Sequence, residues 1–292
     1  MSDEHFCTLK NGIKLCYKVE GEGEPVLLIA GLTLQLHSWP RPMVEDLMAR
    51  GFQVITYDNR DVGRSSRHHA APPTKMQMLT RKMNPANYDL GDMAGDAAGL
   101  LDHLGLKSVH VAGMSMGGMI GQTLAARAPG RVKTLTSIFS TTGARSVGQP
   151  SFRMLLRMMA GPPATREEAI RRYIETMRII GGRGHAINEE RCAAYMGEAW
   201  DRGGANPHIG IGRQLAAILK SGDRTAEVQR ISVPTLVIHG DRDPMVNASG
   251  GKATAAAIKG SRHISIKGMG HDLADSVNPE LVSLFADHVG AV

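Results

Sequence analysis

Three side chains, far apart along the chain, are of the types needed to turn a hydroxyl into a nucleophile. Ser115 lies in Gly113-Met114-Ser115-Met116-Gly117, Asp243 in Gly240-Asp241-Arg242-Asp243-Pro244, and His271 in Gly268-Met269-Gly270-His271. A serine hydroxyl attacks poorly until a neighbouring base takes its proton, and a histidine does this when a carboxylate orients it. The chemistry on offer is therefore acyl transfer through a covalent serine intermediate. Glycines on both sides of Ser115 suit a sharp strand-to-helix turn that exposes the hydroxyl and leaves no room for flanking side chains. The helix after such a turn aims free N–H groups and its positive end at the same point, so the Met116 N–H is an expected oxyanion donor. Two other late histidines are poorer candidates for the base: His263 falls inside a strand-like run and His288 inside the terminal helical stretch.

Such loops need strands and helices to hold them. Buried-strand patterns run from Pro25 to Ala30, Phe52 to Tyr57, Ser108 to Ala112, Val132 to Phe139, Thr235 to His239 and Arg262 to Ile266. Helical patterns alternate with them, from Pro42 to Arg50, from Met93 to Leu104 and from Gly117 to Ala128. Alternation of this kind means parallel strands joined by crossover helices, an open α/β sheet whose site lies at the carboxyl ends of its strands. All three chemical loops follow directly on a strand. From about Gly143 to Leu215 the β-branched runs vanish and helical stretches rich in Arg and Met appear, such as Ser151 to Met159 and Glu167 to Ile180, broken at Gly161-Pro162-Pro163 and Gly181-Gly182. The expected organisation is one domain over residues 1–292, with a core of 1–142 and 216–292 and a helical cap inserted at 143–215.

The chain has 292 residues, 42% apolar and 21% charged, with 4% aromatic, which excludes disordered and collagen-like classes. Its formal charge of +6 comes from scattered basic residues that are not interleaved with aromatics, so nucleic acid is not an expected partner. The longest apolar run is far too short to span a bilayer, and the acidic, polar start does not read as a secretory signal, so a cytoplasmic protein that does not engage membranes is expected. Cys7, Cys16 and Cys192 lack metal-ligand spacing and are expected to be reduced thiols. A two-residue turn at Asn11-Gly12 would set Cys7 opposite Cys16.

With these residues in view, the chain resembles the α/β-hydrolases, and within them aclacinomycin methylesterase and related carboxylesterases. Five segments carry the likeness in family order: Ala30-Gly31-Leu32, the run Asp58-Asn59-Arg60-Asp61-Val62-Gly63-Arg64-Ser65, the Ser115 turn, the Asp243 loop and the His271 loop. The resemblance implies a mostly parallel, doubly wound sheet with an inserted helical cap. It also implies Ser115 as nucleophile, His271 as base, Asp243 as its orienter, and the Leu32 and Met116 N–H groups as the oxyanion hole. The family's acid lies three residues past the strand-ending glycine, which selects Asp243 over Asp241. Ala30 departs from the family in standing where many members have histidine, and Asn247 in standing where many have proline.

The expected reaction is hydrolysis of carboxylic esters or lactones of small to medium hydrophobic substrates, without cofactor or metal. A serine triad also serves carbon–carbon bond hydrolases and cofactor-free perhydrolases, and a hydrolase-like ligand-binding protein is the non-enzymatic alternative. Trp39, Met158 and Met177 are candidates for the substrate pocket. The methionines of the insertion suit an adaptable apolar lining or equally the cap's own core. Asp58, Arg60, Gly63 and Ser65 are expected to brace a loop rather than touch substrate. Adjacent His68 and His69 lack the partners of a metal site.

Overall fold

The computed structural model describes residues 3–158, 161–203 and 207–291. A hairpin of β1 (His5–Thr8) and β2 (Lys14–Glu20) leads into β3 (Glu24–Ile29), α1 (Arg41–Ala49), β4 (Phe52–Tyr57), α2 (Lys75–Thr80) and α3 (Leu90–His103). Then follow β5 (Val109–Met114), α4 (Met116–Arg127) and β6 (Val132–Ile138). Among the described residues five helices come next: α5 (Phe152–Met158), α6 (Arg166–Ile180), α7 (Glu189–Gly203), α8 (Pro207–Ser221) and α9 (Thr225–Val228). The chain returns to the sheet with β7 (Thr235–Gly240), α10 (Ser249–Ala257), β8 (Arg262–Ile266) and α11 (Asn278–Gly290).

One eight-stranded sheet has the order β1-β2-β4-β3-β5-β6-β7-β8. The β1–β2 and β2–β4 pairs are antiparallel and all others parallel, as helical crossovers require. Alternate residues of each central strand feed opposite faces. Leu27 and Ile29 join Leu100, Leu101, Ile120 and Leu124 on one side, while Val26 and Leu28 join Met43, Leu47, Leu281 and Phe285 on the other. Each such side chain contributes about 1.5–3 kcal/mol by leaving water, which anchors the strand ends that carry the chemistry. α3 starts three residues before the periodic run suggests, because Asp89 accepts from the Gly91 and Asp92 N–H groups and Asp92 accepts from Asp89 in return.

The hairpin corrects one expectation. Its turn has three residues rather than two: Leu9 N–H donates to Ile13 O, and Gly12 takes φ +81°. The register therefore pairs Cys7 with Leu15 and Phe6 with Cys16, so the two thiols alternate to opposite faces of the sheet and cannot cross-link. The Asp58 run is bracing, as expected. Asp58 accepts from the Leu36 and Arg64 N–H groups, Ser65 Oγ donates to Asp58 O, and a Cβ at Gly63 would lie 2.1 Å from Asp58 Oδ2. Arg60 forms a two-pronged pair with buried Asp96 at 2.5 and 2.6 Å.

Residue 215, expected as the end of the insertion, falls within α8. Gln214, Ala216 and Ala217 of that helix are buried, and Ala217 belongs to the core cluster under β5 and α4. α8 thus passes from the helical insertion onto the sheet without a break.

Candidate active site

Ser115 stands between β5 and α4 with φ +55° and ψ −120°, a conformation that L-residues avoid. The flanking glycines explain how the chain tolerates the turn. A Cβ on Gly113 would lie 2.3 Å from Gly117 O, and one on Gly117 would lie 2.0 Å from Ile29 O. The turn is held from behind by Ser115 N–H donating to Ile138 O at 2.9 Å and by Ser140 Oγ donating to Ser115 O at 2.8 Å. From Val109 to Ala125 every residue is buried except Ser115, so the one group opened to a ligand is the hydroxyl-bearing one.

His271 Nε2 lies 2.9 Å from Ser115 Oγ, and His271 Nδ1 lies 2.6 Å from Asp243 Oδ2. The carboxylate acts as acceptor, which puts the ring proton on Nδ1 and leaves Nε2 to accept from the serine. The other oxygen of Asp243 accepts from the Met245 and Val246 N–H groups at 2.8 Å each. Burial alone would push the Asp243 carboxyl up, but the His271 charge and the hydrogen bonds from His239 and His271 hold it down at about 2. Asp241 plays a different part. Its Oδ1 accepts from Gly268 N–H at 2.6 Å, tying the acid loop to the histidine loop.

Two residues that sequence reasoning passed over complete this arrangement. His239, at the end of β7, is fully buried with Nε2 2.8 Å from Val246 O and 3.3 Å from Asp243 Oδ2. A lone histidine ending the otherwise apolar run Leu236-Val237-Ile238, four residues before the acid, was its only signal. The Phe139 ring packs 4.5 Å from that of His271, on a residue with φ +36° just after β6.

The expected oxyanion donors lie on two segments that adjoin Ser115. Met116 is the first residue of α4, so its N–H is among those that a helix start leaves without an intrahelical acceptor. Leu32 follows Gly31, where a Cβ would come within 3.3 Å of Ser115 Cβ.

The helices between β6 and β7 touch the site through backbone. His271 N–H donates to Ile180 O at 2.6 Å, Gly184 N–H donates to Gly268 O at 3.1 Å, and Gly182 bridges to Met269. A Cβ on Gly270 would lie 2.0 Å from Ile180 O, so Gly181-Gly182 and Gly268-Met269-Gly270 can press together only because they lack side chains at the contact.

Of the pocket candidates, Met177 is buried with Met154, Ile180 and Cys192, with Tyr173, Ile187 and Met245 packed against them. It is thus part of the small buried core of the helical segment. Trp39 is 3% exposed within the core cluster that also holds Phe139 and Met269. Met158 closes α5, its side chain lies outside the described residues, and Met159 lies outside them entirely.

The alpha/beta hydrolase fold family model matches residues 24–275. Rhodomycin D methylesterase of Streptomyces peucetius is 32% identical over 93% of this chain and 94% of its own length. A non-heme haloperoxidase of Rhodococcus erythropolis is 26% identical over 95% of this chain and 98% of its own. The crystal structure of an esterase from a Rhodococcus species superposes with a TM-score of 0.75 at 22% identity, covering 100% of this chain and 99% of that one. The chain belongs to the α/β-hydrolase fold family. Among the described residues, no helix is long and apolar enough to cross a membrane.

Proposed function

We propose that this α/β-hydrolase cleaves carboxylic esters or lactones of small to medium hydrophobic substrates through an acyl-serine intermediate. The observation that carries the reading is the continuous chain Ser115 Oγ, His271 and Asp243, with contacts of 2.9 and 2.6 Å, at the one half-buried residue of an otherwise buried turn. Ser115 Oγ attacks the carbonyl carbon as its proton passes to His271 Nε2, and the Leu32 and Met116 N–H groups receive the oxyanion. Collapse expels the alcohol, which takes that proton. Water then repeats the cycle on the acyl-serine and frees the acid. Asp243 stays ionised throughout, stabilising the imidazolium without itself taking a proton.

The methylesterase named among the relatives supports an ester with a small alcohol, and the helices of residues 143–215 serve in this reading as the cap that selects the substrate. The haloperoxidase relative favours a second reaction at the same serine, perhydrolysis, in which hydrogen peroxide replaces water and a peracid leaves. Turnover of p-nitrophenyl esters of rising chain length, run with and without peroxide, tests both. Hydrolysis that rises with chain length and then levels supports the esterase reading. Peracid formation outpacing hydrolysis supports the second, and no turnover of any ester overturns the proposal.

A further inference from the structure

The oxyanion loop runs over Gly31-Leu32-Thr33-Leu34-Gln35-Leu36, and the last four N–H groups in it all have acceptors. Thr33 N–H donates to Gln214 Oε1 at 3.0 Å, Leu34 N–H to Gly31 O at 3.2 Å, Gln35 N–H to Tyr195 Oη at 3.1 Å, and Leu36 N–H to Asp58 Oδ1 at 2.7 Å. Among the described residues, the Gly31 and Leu32 N–H groups have none. The Leu32 N–H is thus left over next to Gly31, where a Cβ would come within 3.3 Å of Ser115 Cβ.

Thr33 holds φ +70° immediately after Leu32. A β-branched residue in the left-handed region is strained and stays there only when its surroundings impose it. Thr33 lies in the turn closed by Leu34 N–H and Gly31 O, and a second contact on it comes from α8. Gln214 is fully buried, accepts from Thr33 N–H through Oε1, and donates through Nε2 to Arg60 O at 2.8 Å, so its amide is gripped at both ends. Gln214 sits 181 residues from Thr33, on the helix that passes from the insertion onto the sheet.

We infer that Gln214 is a positioning residue for the reaction: its buried amide holds Thr33 in the left-handed conformation and so keeps the Leu32 N–H free and aimed at the oxyanion. The inference rests on the hydrolase reading above. It couples α8 to transition-state stabilisation and not to substrate affinity.

Gln214→Met keeps the length of the side chain and removes both hydrogen bonds. It should lower kcat at least about tenfold with KM little changed, because a displaced oxyanion donor is lost mainly in the transition state. Affinity for a trifluoromethyl ketone should fall in parallel. Ser115 Oγ adds to that ketone's carbonyl carbon, the C=O π bond opens to an oxyanion, and the serine proton moves to His271, so its affinity reports the hole directly. A merely structural role would lower the melting temperature without this parallel loss.

Glycine adopts φ +70° freely. In a Thr33→Gly background the penalty of Gln214→Met should therefore shrink several-fold. Unchanged kcat and ketone affinity in Gln214→Met, or the same penalty in both backgrounds, would overturn the inference. If Gln214→Met does not fold, amide exchange of the wild type carries the test. Thr33 N–H should then exchange far more slowly than exposed loop amides, and exchange as fast as theirs overturns the inference. Wild-type protein that turns over no ester would sink the functional reading itself, and this inference with it.

Discussion

The sheet edge and the helical segment above it are built by different means. At the edge, Ser115, Asp243 and His271 leave the ends of β5, β7 and β8, whose apolar side chains are almost wholly buried. Their loops meet backbone to backbone, at glycines where a Cβ would come within 2.0–2.3 Å of a carbonyl oxygen. The helical segment has a cluster of four buried side chains and is held outside by ion pairs such as Arg166–Asp201 and Arg178–Glu189, both exposed. Exposed pairs of this kind contribute little. Its firmer hold on the sheet comes from the seam of Ile180 O and Gly184 N–H with the histidine loop and from polar contacts: Gln214 to Thr33, Tyr195 to Gln35, and Arg202 to Asp58 at 3.0 Å. The reacting atoms are thus fixed by close packing, whereas the helical segment holds to the sheet through one glycine seam and a few polar points.

Changes at the packed edge should therefore outweigh those in the helical segment. Ser115→Ala should lower kcat by about 10⁶ while leaving the fold intact, because the hydroxyl supplies the covalent step and little packing. Intact-mass measurement with a fluorophosphonate should show one adduct on the wild type and none on this variant. Turnover close to wild type without Ser115 would undo the contrast at its strongest point.

Asp243→Asn should cost about 10⁴ in kcat, since an amide there favours the wrong histidine tautomer. Asp241→Asn should cost far less, because the amide oxygen still accepts from Gly268 N–H. Steady-state rates of the two variants check the pair, and a reversed order would reassign the acid.

Gly270→Ala tests the seam between the two regions. The new Cβ would meet Ile180 O, so the histidine loop and the end of α6 must part, at a cost of about 1–3 kcal/mol. The readouts are a lowered melting temperature and a lower kcat together. Met177→Ser should destabilise by about 2 kcal/mol through loss of apolar packing, yet leave the chain-length preference unaltered. A changed preference would return Met177 to the substrate pocket.

The smallest effect concerns acid. Because the folded Asp243 carboxyl titrates at about 2 against an ordinary 3.8, its contribution is complete above the ordinary value and is lost as pH falls through the lower one. Urea midpoints of wild type and Asp243→Asn, measured near neutral pH and again below the ordinary carboxylate range, should converge at the lower pH.

The alternation of strands and helices, the turn at Ser115, and the loops bearing Asp243 and His271 are all legible in the amino-acid order alone. Strand and helix periodicity, and the glycines a sharp turn demands, are local properties. The strand bounds read that way agree with the structure to within about two residues, the usual scatter of such ends. Local pattern did not yield the hairpin register, because Asn11-Gly12 suits both a two-residue and a three-residue turn and only the paired strands select one. Nor did it reveal that Gly181-Gly182 and Gly270 serve a single contact, that Met177 packs inward, or that Gln214 and His239 brace the site. Each of those depends on a partner distant in sequence or on which way a helix faces. A buried glutamine reads like any polar residue until the tertiary structure places a strained backbone N–H 3.0 Å from its oxygen.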